Sequence, residues 1–481
     1  MLRLSPFLIL KLYRNDLANF AISFFCFFLF ISAKSQQPKI LHFGWDNPDV
    51  ERLSDSIGFM QNIPFDGICI SFQKYIMESF DTTIHPETYY KYDKLRCIKW
   101  GRYTDNYLFI RGMSKTGGSW FDNKAWASIS KNMKGVSRAI KEGRLKGILF
   151  DSEYYYADPL YNPWTYTKLQ YPNYSFSQVQ DMVRERGKQF IKALQNNTKD
   201  FSILSIWLTS LVADEMRYAP FEKSRFALLL SFMEGILLEK NKKVKLIDGN
   251  ESAYWYSKPS QFLESVENLQ RHTTELMRSA QAKKLVPEIL IAQPVFYDGL
   301  LATSTEYERG FKNTAKWKWL QENLKYAMAT STSNMIWFYD EKLNIIKSRS
   351  DTLFSVIKNA KSYFTGVNKS ESLKGNKFLA ESHRNINSEI GIHYLGFGKD
   401  PMATTGKAFS YRMNIKTKHL SITFIERIPI SVSIFLNNKL IAFVKPNKLK
   451  NEIKLTAFTK GILAILSKYS DGTESCNLQI Y

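Results

Sequence analysis

From about Lys39 to Phe364 the chain alternates short apolar runs with longer segments whose apolar residues recur every three or four positions. Runs of four to six apolar residues suit strands buried on both faces, and the longer spacing suits helices with one covered face. The predicted strands are Ile40–Trp45, Gly67–Phe72, Tyr107–Arg111, Gly147–Phe150, Ile203–Leu208, Val244–Ile247, Ile289–Ala292 and Met335–Tyr339. Helical spacing falls between them at Asp49–Gln61, Asp122–Glu142, Ser175–Gln195, Phe221–Asn241, Pro259–Ala282 and Asn313–Thr330, with a last helix at Asp351–Phe364 and a short one within Pro86–Cys97. Strands alternating with helices imply a parallel sheet, and eight such units imply a closed (β/α)8 TIM barrel. No glycine-rich phosphate loop follows the first strand, which argues against a nucleotide-binding open sheet.

The pattern changes after Phe364. Residues 366–392 are polar and read as a linker. From His393 onward the period shortens to two, with strands expected at Leu420–Phe424, Ile430–Phe435, Lys439–Val444, Asn451–Leu455, Ile462–Ser467 and Cys476–Tyr481. Asn437-Asn438 and Asp471-Gly472 mark turns between them. This predicts a small C-terminal all-β sandwich domain over 393–481. Its expected role is to support the barrel, with glycan binding or sorting as weaker alternatives.

The N-terminus does not read as part of either fold. Arg3, Lys11 and Arg14 precede an eleven-residue apolar run, Ala21–Ile31, and small residues follow up to Ser35. That is the pattern of a secretory signal peptide over residues 1–35, too short for a membrane span of about 20 residues. The expected location is the periplasm, the cell surface or the medium, with no stable membrane anchor.

Composition then narrows the function. The 481 residues are 44% hydrophobic, which excludes a disordered chain, and four Cys exclude a disulfide scaffold. The formal charge of +21 falls to +18 once residues 1–35 are removed. The basic residues are scattered and no nucleic-acid module appears, so no nucleic-acid partner is expected. Six His without paired spacing supply no metal site, no G-x-S-x-G elbow is present, and no cofactor is called for.

In barrels of this kind the working residues sit where strands end. The predicted ends carry His42, Trp45 and Asp46 (strand one), Arg111 (three), Asp151, Glu153 and Tyr155 (four), Asp248 and Glu251 (six), and Trp337, Tyr339 and Glu341 (eight). Acids and aromatics converging on one mouth suit a sugar, because ring faces stack on pyranose C–H surfaces and carboxylates bond hydroxyls. A carboxyl pair is also what glycosidic cleavage requires. Asp151 and Glu153 are two apart on an extended chain and face the same way. The blander alternatives are a loop-tying Asp151, helix-capping Asp248 and Glu251, a solvated Glu341 beside Lys342, a core His42, and barrel-core tryptophans, Trp207 above all.

The segments HFGWDNPD (42–49), PFDG (64–67), GILFDSEYY (147–155), DGNESAYWY (248–256) and IWFYDE (336–341) resemble those of a set of exported bacterial glycoside-hydrolase-like TIM-barrel proteins. The resemblance covers the barrel and not the C-terminal module. It implies the TIM-barrel fold and places Asp151, Glu153, Glu251 and Glu341 in the pocket. Asp151-Ser152-Glu153 is also similar to the last D-x-E of family 18 chitinases, and Trp337 to their strand-eight tryptophan, but the upstream acids of that motif are missing at Gly147–Phe150. Acids after strands four and six are likewise arranged as in α-galactosidase-like enzymes.

The sequence therefore predicts a secreted glycoside hydrolase acting on a poly- or oligosaccharide, as a monomer or weak oligomer. Glu153 is its expected general acid/base, and Glu251 the nucleophile or base, with Asp151 orienting or substituting. His42, Trp45, Asp46, Arg111, Tyr155, Asp248, Trp337, Tyr339 and Glu341 are expected to bind sugar. The alternatives are a non-catalytic glycan-binding barrel, or a polysaccharide lyase using Arg111 against an acidic glycan.

Overall fold

The computed structural model describes residues 37–72, 78–82, 91–114, 119–216, 218–256, 258–297, 313–340, 350–365, 378–383, 405–414, 418–424, 428–456, 459, 461–470 and 474–480. The expected signal peptide thus lies outside the described residues, as do Glu341 and most of the expected linker. Among the described residues no helix is long and apolar enough to cross a membrane.

Nine short strands form one parallel sheet: Lys39–Gly44 (β1), Gly67–Ile70 (β2), Tyr107–Arg111 (β3), Gly147–Asp151 (β4), Ser202–Ser205 (β5), Lys245–Asp248 (β6), Leu290–Ile291 (β7), Pro294–Phe296 (β8) and Met335–Asp340 (β9). Their order is β7-β6-β5-β4-β3-β2-β1-β9-β8. The two ends of that order, β7 and β8, are separated in sequence by Ala292 and Gln293 alone. The Ala292 amide donates to the Asp248 carbonyl on one side (2.9 Å), and Gln293 accepts from the Trp337 amide on the other (3.2 Å). Leu290–Phe296 is therefore one bent strand, and the sheet closes into the eight-stranded (β/α)8 barrel. The bend arises because the amides of Ile291 and Gln293 are taken by the hydroxyls of Thr332 and Ser331, both at 2.8 Å.

The helices are Val50–Met60 (α1), Tyr92–Cys97 (α2), Asn123–Gly143 (α3), Phe176–Leu194 (α4), Ser210–Glu215 (α5), Leu229–Glu239 (α6), Pro259–Leu276 (α7), Ala280–Leu285 (α8), Asn313–Thr330 (α9) and Asp351–Thr365 (α10). Local chemistry sets the starts: Asp49 and Asp122 accept first-turn amides, and Ser175 with Gln178 forms a capping box. Two predicted helices come out shorter. Between Phe221 and Leu228, Glu215 takes the Arg225 amide (2.9 Å) and the Ser224 hydroxyl (2.7 Å), so the helix starts only at Leu229. At Met277 the predicted Pro259–Ala282 helix divides, because the Glu234 carboxylate accepts from the amides of Arg278 and Ser279 (3.2 and 2.9 Å) and Ser279 caps a new helix. Helix α4 and α6 touch backbone to backbone. A Cβ at Gly187 would stand 2.1 Å from the Phe232 carbonyl, and one at Gly235 2.0 Å from that of Arg184. This approach carries Phe232 into an aromatic cluster behind β4, with Phe150, Trp164 and Phe190 among its neighbours.

The C-terminal chain forms two four-stranded antiparallel sheets. One has the order β10-β11-β12-β15, from Phe378–His383, Thr405–Asn414, His419–Phe424 and Lys450–Lys454. The other has β14-β13-β16-β17, from Lys439–Val444, Ser431–Leu436, Ile462–Lys468 and Glu474–Ile480. Phe378–His383, which the polar composition assigns to a linker, is thus a strand. Its Leu379 and Ala380 pair with Ser410 and Phe409 of β11, which was not among the predicted strands. Leu420, Ile422, Ile434 and Ile465 from the two sheets share one core. The other face of the second sheet gives Phe435, Ala464, Leu466, Cys476 and Leu478 to the barrel's own core. Polar ties reinforce that seam: Glu474 accepts from the Ser260 amide and hydroxyl (3.1 and 2.7 Å), and Asn438 donates to the Thr330 carbonyl (3.1 Å).

Candidate active site

Which strand residues enter the lumen is decided by the two-residue period. Phe43 on β1 meets Phe109 on β3 (ring centroids 5.0 Å) across the intervening β2, so the odd positions of β1 point inward. Tyr339 stacks on Phe43 (5.3 Å) and on Tyr254 (5.2 Å, planes 6° apart), and Phe296 packs beside it. On β4, Phe150 leans on Phe190 of α4 and Phe232 of α6 and so faces the helices. Its neighbour Asp151 therefore faces the lumen, where it meets Arg111 from β3 at 3.8 Å.

This register corrects the expectation for His42. It packs against Phe65 (5.1 Å) on the helix side, and its Nε2 bonds the buried Asp340 carboxylate at 2.5 Å. An even position on β1 cannot reach the lumen, so His42 is a framework residue. Asp46 also has another partner: it lies outside the barrel end in a bidentate pair with Arg52 at 2.8 and 3.0 Å. Trp337 is fully buried, its indole N–H donating to the carbonyls of Gly249 (2.9 Å) and Ala292 (3.1 Å), so it floors the lumen rather than offering a face to ligand. Asp248 is buried and accepts the amides of Asn250 (2.8 Å) and Leu208 (3.3 Å). Burial pushes its carboxyl up to about 6 against the pull of those amides, and it holds the strand-six turn together. Trp207 is buried beside Phe226 (4.9 Å), in the core as expected.

The remaining residues converge. Trp45 and Tyr155 meet edge to face at 5.5 Å and are both exposed at the mouth. The Arg111 guanidinium lies 5.1 Å from the Trp45 ring and 4.6 Å from that of Tyr155, beside Asp151. Asp151 accepts from the Glu153 amide (2.8 Å) and the Tyr155 hydroxyl (2.9 Å), so its two oxygens fix the loop that carries both residues. Glu153 itself is exposed to the opening. Close enough to feel its charge, Glu251 heads a 3₁₀ turn, Glu251–Trp255, after β6. Asn250 sets that turn with a left-handed φ of 45° and a 2.7 Å bond to Gln293. Glu251 is pushed well above the usual carboxylate range, first by burial and then by the negative charges of Glu153 and Asp151. Tyr254 is raised likewise by burial, then by Glu251. Among the described residues, Asp151, Glu153 and Glu251 thus gather at the C-terminal mouth with the exposed rings of Trp45 and Tyr155, above the buried Tyr254 and Tyr339.

Sequence reasoning missed Glu78. It is buried, lies beyond the predicted end of strand two, pairs by a parallel bridge with Arg111, and accepts from the Tyr156 hydroxyl. It holds the Tyr154–Tyr156 loop from below. No periodic signal marks it, because its segment, Gln73–Ser79, has neither strand nor helix spacing.

Burial, then the Glu153 charge, raise the Asp151 carboxyl to about 7. Folding therefore holds a proton there that the unfolded chain releases near pH 4. The sign follows: this contribution to stability is intact below about pH 4 and is lost as pH rises through about 7, at about 1.4 kcal/mol per pH unit. Asp151→Asn does not titrate: its Oδ1 can still accept the Glu153 amide, and its Nδ2 donates to the Tyr155 oxygen instead of accepting from it. It should raise the Tm relative to wild type at about pH 8, with the gain shrinking to nothing near pH 4. Thermal melts across that range check it, and a pH-independent difference would refute it.

No protein-family model and no curated protein matches the chain. Solved structures similar in fold include a sugar phosphate isomerase/epimerase from Parabacteroides distasonis, at 9% identity and TM-score 0.30, covering 69% of this chain and 95% of that one. They also include a β-glucuronidase from Bacteroides uniformis (9%, 0.34, 93% of this chain and 46% of that one). A third is a broad-specificity endoglucanase from an uncultured bacterium (12%, 0.37, 66% and 86%). The chain thus spans less than half the length of the β-glucuronidase. At these scores the likenesses assign no activity.

Proposed function

We propose that the protein is a glycoside hydrolase in which Glu251 and Glu153 are the catalytic pair. The observation that carries this reading is the pair's asymmetry. Glu251 is half-buried beside Tyr254 and the other acids, and desolvation, then the charges of those acids, raise its carboxyl well above the usual range, while Glu153 stands exposed at the opening. A partly desolvated acid beside like charges is the group suited to protonate a leaving oxygen, and the other carboxyl group is suited to attack the anomeric carbon or activate water. This exchanges the roles expected from sequence, where Glu153 was the acid. The reason is environment: the two residues are chemically identical and differ in desolvation. Asp151 orients Glu153 through its amide and Tyr155 through its hydroxyl. Trp45 and Tyr155 supply exposed ring faces for the sugar, and Arg111 supplies donors for its oxygens, whereas Tyr339, expected from sequence to bind sugar, is buried between Phe43 and Tyr254 and braces the lumen instead. The family resemblance noted in the sequence and the expected export agree with a polysaccharide-degrading role, and no cofactor enters this chemistry.

The test is a panel of aryl glycosides and oligosaccharides with the wild type and Glu153→Gln. Wild type should release product from at least one substrate. Glu153→Gln should lose that activity on activated aryl substrates too, because no leaving group replaces the second carboxylate, while sugar binding by calorimetry persists. Binding without hydrolysis by wild type would identify a non-catalytic glycan-binding barrel instead.

A further inference from the structure

The end of the sandwich where the chain crosses between its two sheets carries a surface the barrel does not use. Two connections lie there together. The one from β12 to β13 runs through Ile428 and Ile430, and the one from β14 to β15 runs from Lys445 to Leu449. Register places them at the same end: Val432 is opposite Val444, and Thr423 opposite Lys450. The amide of Phe424 also bonds the Leu449 carbonyl at 2.8 Å. Ile430 and Leu449 continue the inward-facing alternation of Val432 and Ile453, but they project past the covered core and are 56% and 47% exposed. Ile428 is 39% exposed on the same connection, and Phe443 (55%), opposite Ser433 and so on the outward face of its sheet, lies near the end of the edge strand β14. Lys445, Lys448 and Lys450 lie along the β14 to β15 connection and are exposed, and none forms an ion pair among the described residues. The wider region is one-sided in charge, with twelve Lys and Arg against four Asp and Glu over residues 405–481.

We propose that this tip is a peripheral docking surface for an anionic lipid bilayer. The apolar side chains of Ile428, Ile430, Phe443 and Leu449 enter the headgroup layer, and the three lysines sit against lipid phosphates. Charge selects the occupant. A second copy of the chain would bring uncompensated lysines face to face. A glycan platform would need flat ring faces, and three of the four apolar side chains here are aliphatic. Binding is reversible and salt-sensitive, since exposed charges are screened.

Co-sedimentation of the full chain with vesicles tests this. Phosphatidylcholine vesicles containing phosphatidylglycerol should bind the protein at low salt, and pure phosphatidylcholine vesicles should bind it far less. Each lysine near an anionic surface contributes roughly a fivefold factor, so Lys445→Ala/Lys448→Ala/Lys450→Ala should weaken binding about a hundredfold. Phe443→Ser/Leu449→Ser should weaken it at both low and high salt. All five positions are exposed, and an unchanged Tm confirms that the variants fold. Failure to bind anionic vesicles overturns the proposal. So does retention of the bound protein by the lysine variant, capture by a soluble polyuronate such as alginate without vesicle binding, or a solution dimer abolished by Phe443→Ser.

Discussion

Glu251→Gln should lower kcat/KM by about 10²–10⁴ on glycosides whose leaving group is another sugar or an alkyl alcohol, and by less than about tenfold on dinitrophenyl glycosides. The substitution preserves the side chain's shape and removes only the acidic proton, whose loss the site disfavours through desolvation and neighbouring negative charge. A sugar alkoxide cannot depart without that proton, whereas a dinitrophenolate can. The pH profile carries the same signature. A proton donor must be protonated to act, so wild-type activity falls as pH rises through the raised Glu251 value, and that alkaline limb should vanish in the variant. Kinetics on the two substrate classes across pH decide the point. Equal losses on both would remove Glu251 as donor, and a split appearing in Glu153→Gln instead would restore the roles expected from sequence.

Phe232→Ala should cost about 3–5 kcal/mol of stability. The ring is fully buried and touches the rings of Phe80, Trp120, Trp126, Phe150, Trp164 and Phe190 at centroid distances of 5.2–6.3 Å. Large flat neighbours pinned by backbone packing cannot collapse into the space left behind, so the cavity term adds to the lost transfer energy. Phe150 immediately precedes Asp151, so the same deletion loosens the strand that aims the candidate carboxylates. Urea unfolding should show a lower midpoint with an unchanged slope. A loss under about 1 kcal/mol would mean that the cluster repacks and that the helix layer does not brace β4.

Much of the barrel was legible. Buried parallel strands read as continuous apolar runs, so GILF at 147–150 and MIWFY at 335–339 announce themselves, and Asp or Ser before a helical period marks where α1, α3 and α4 begin. Period two alone suggested that Asp151 and Glu153 share a side, but β4 ends at Asp151, so the strand alternation does not extend to Glu153. Absolute facing did not. His42 and Phe43 are equally plausible lumen residues until the closure of β1 against β9 sets which parity points inward. Asp46 and Glu78 show the same limit from opposite directions. One is captured by Arg52 of the helix that follows it, and the other is recruited from an aperiodic segment by Tyr156. The strands Phe378–His383 and Thr405–Asn414 were missed because their pairing partners, not their own spacing, make them strands.

By itself, the sequence determined the alternating architecture, the all-β C-terminal module and the gathering of acids and aromatics at the strand ends, because hydrophobic period and end-of-strand position are local properties. Tertiary structure decided which of those residues face the lumen and which carboxyl is pushed above the usual range. Desolvation and like-charge proximity depend on what the barrel brings within a few ångströms, and no spacing along the chain encodes that for Glu153 and Glu251, separated by roughly a hundred residues.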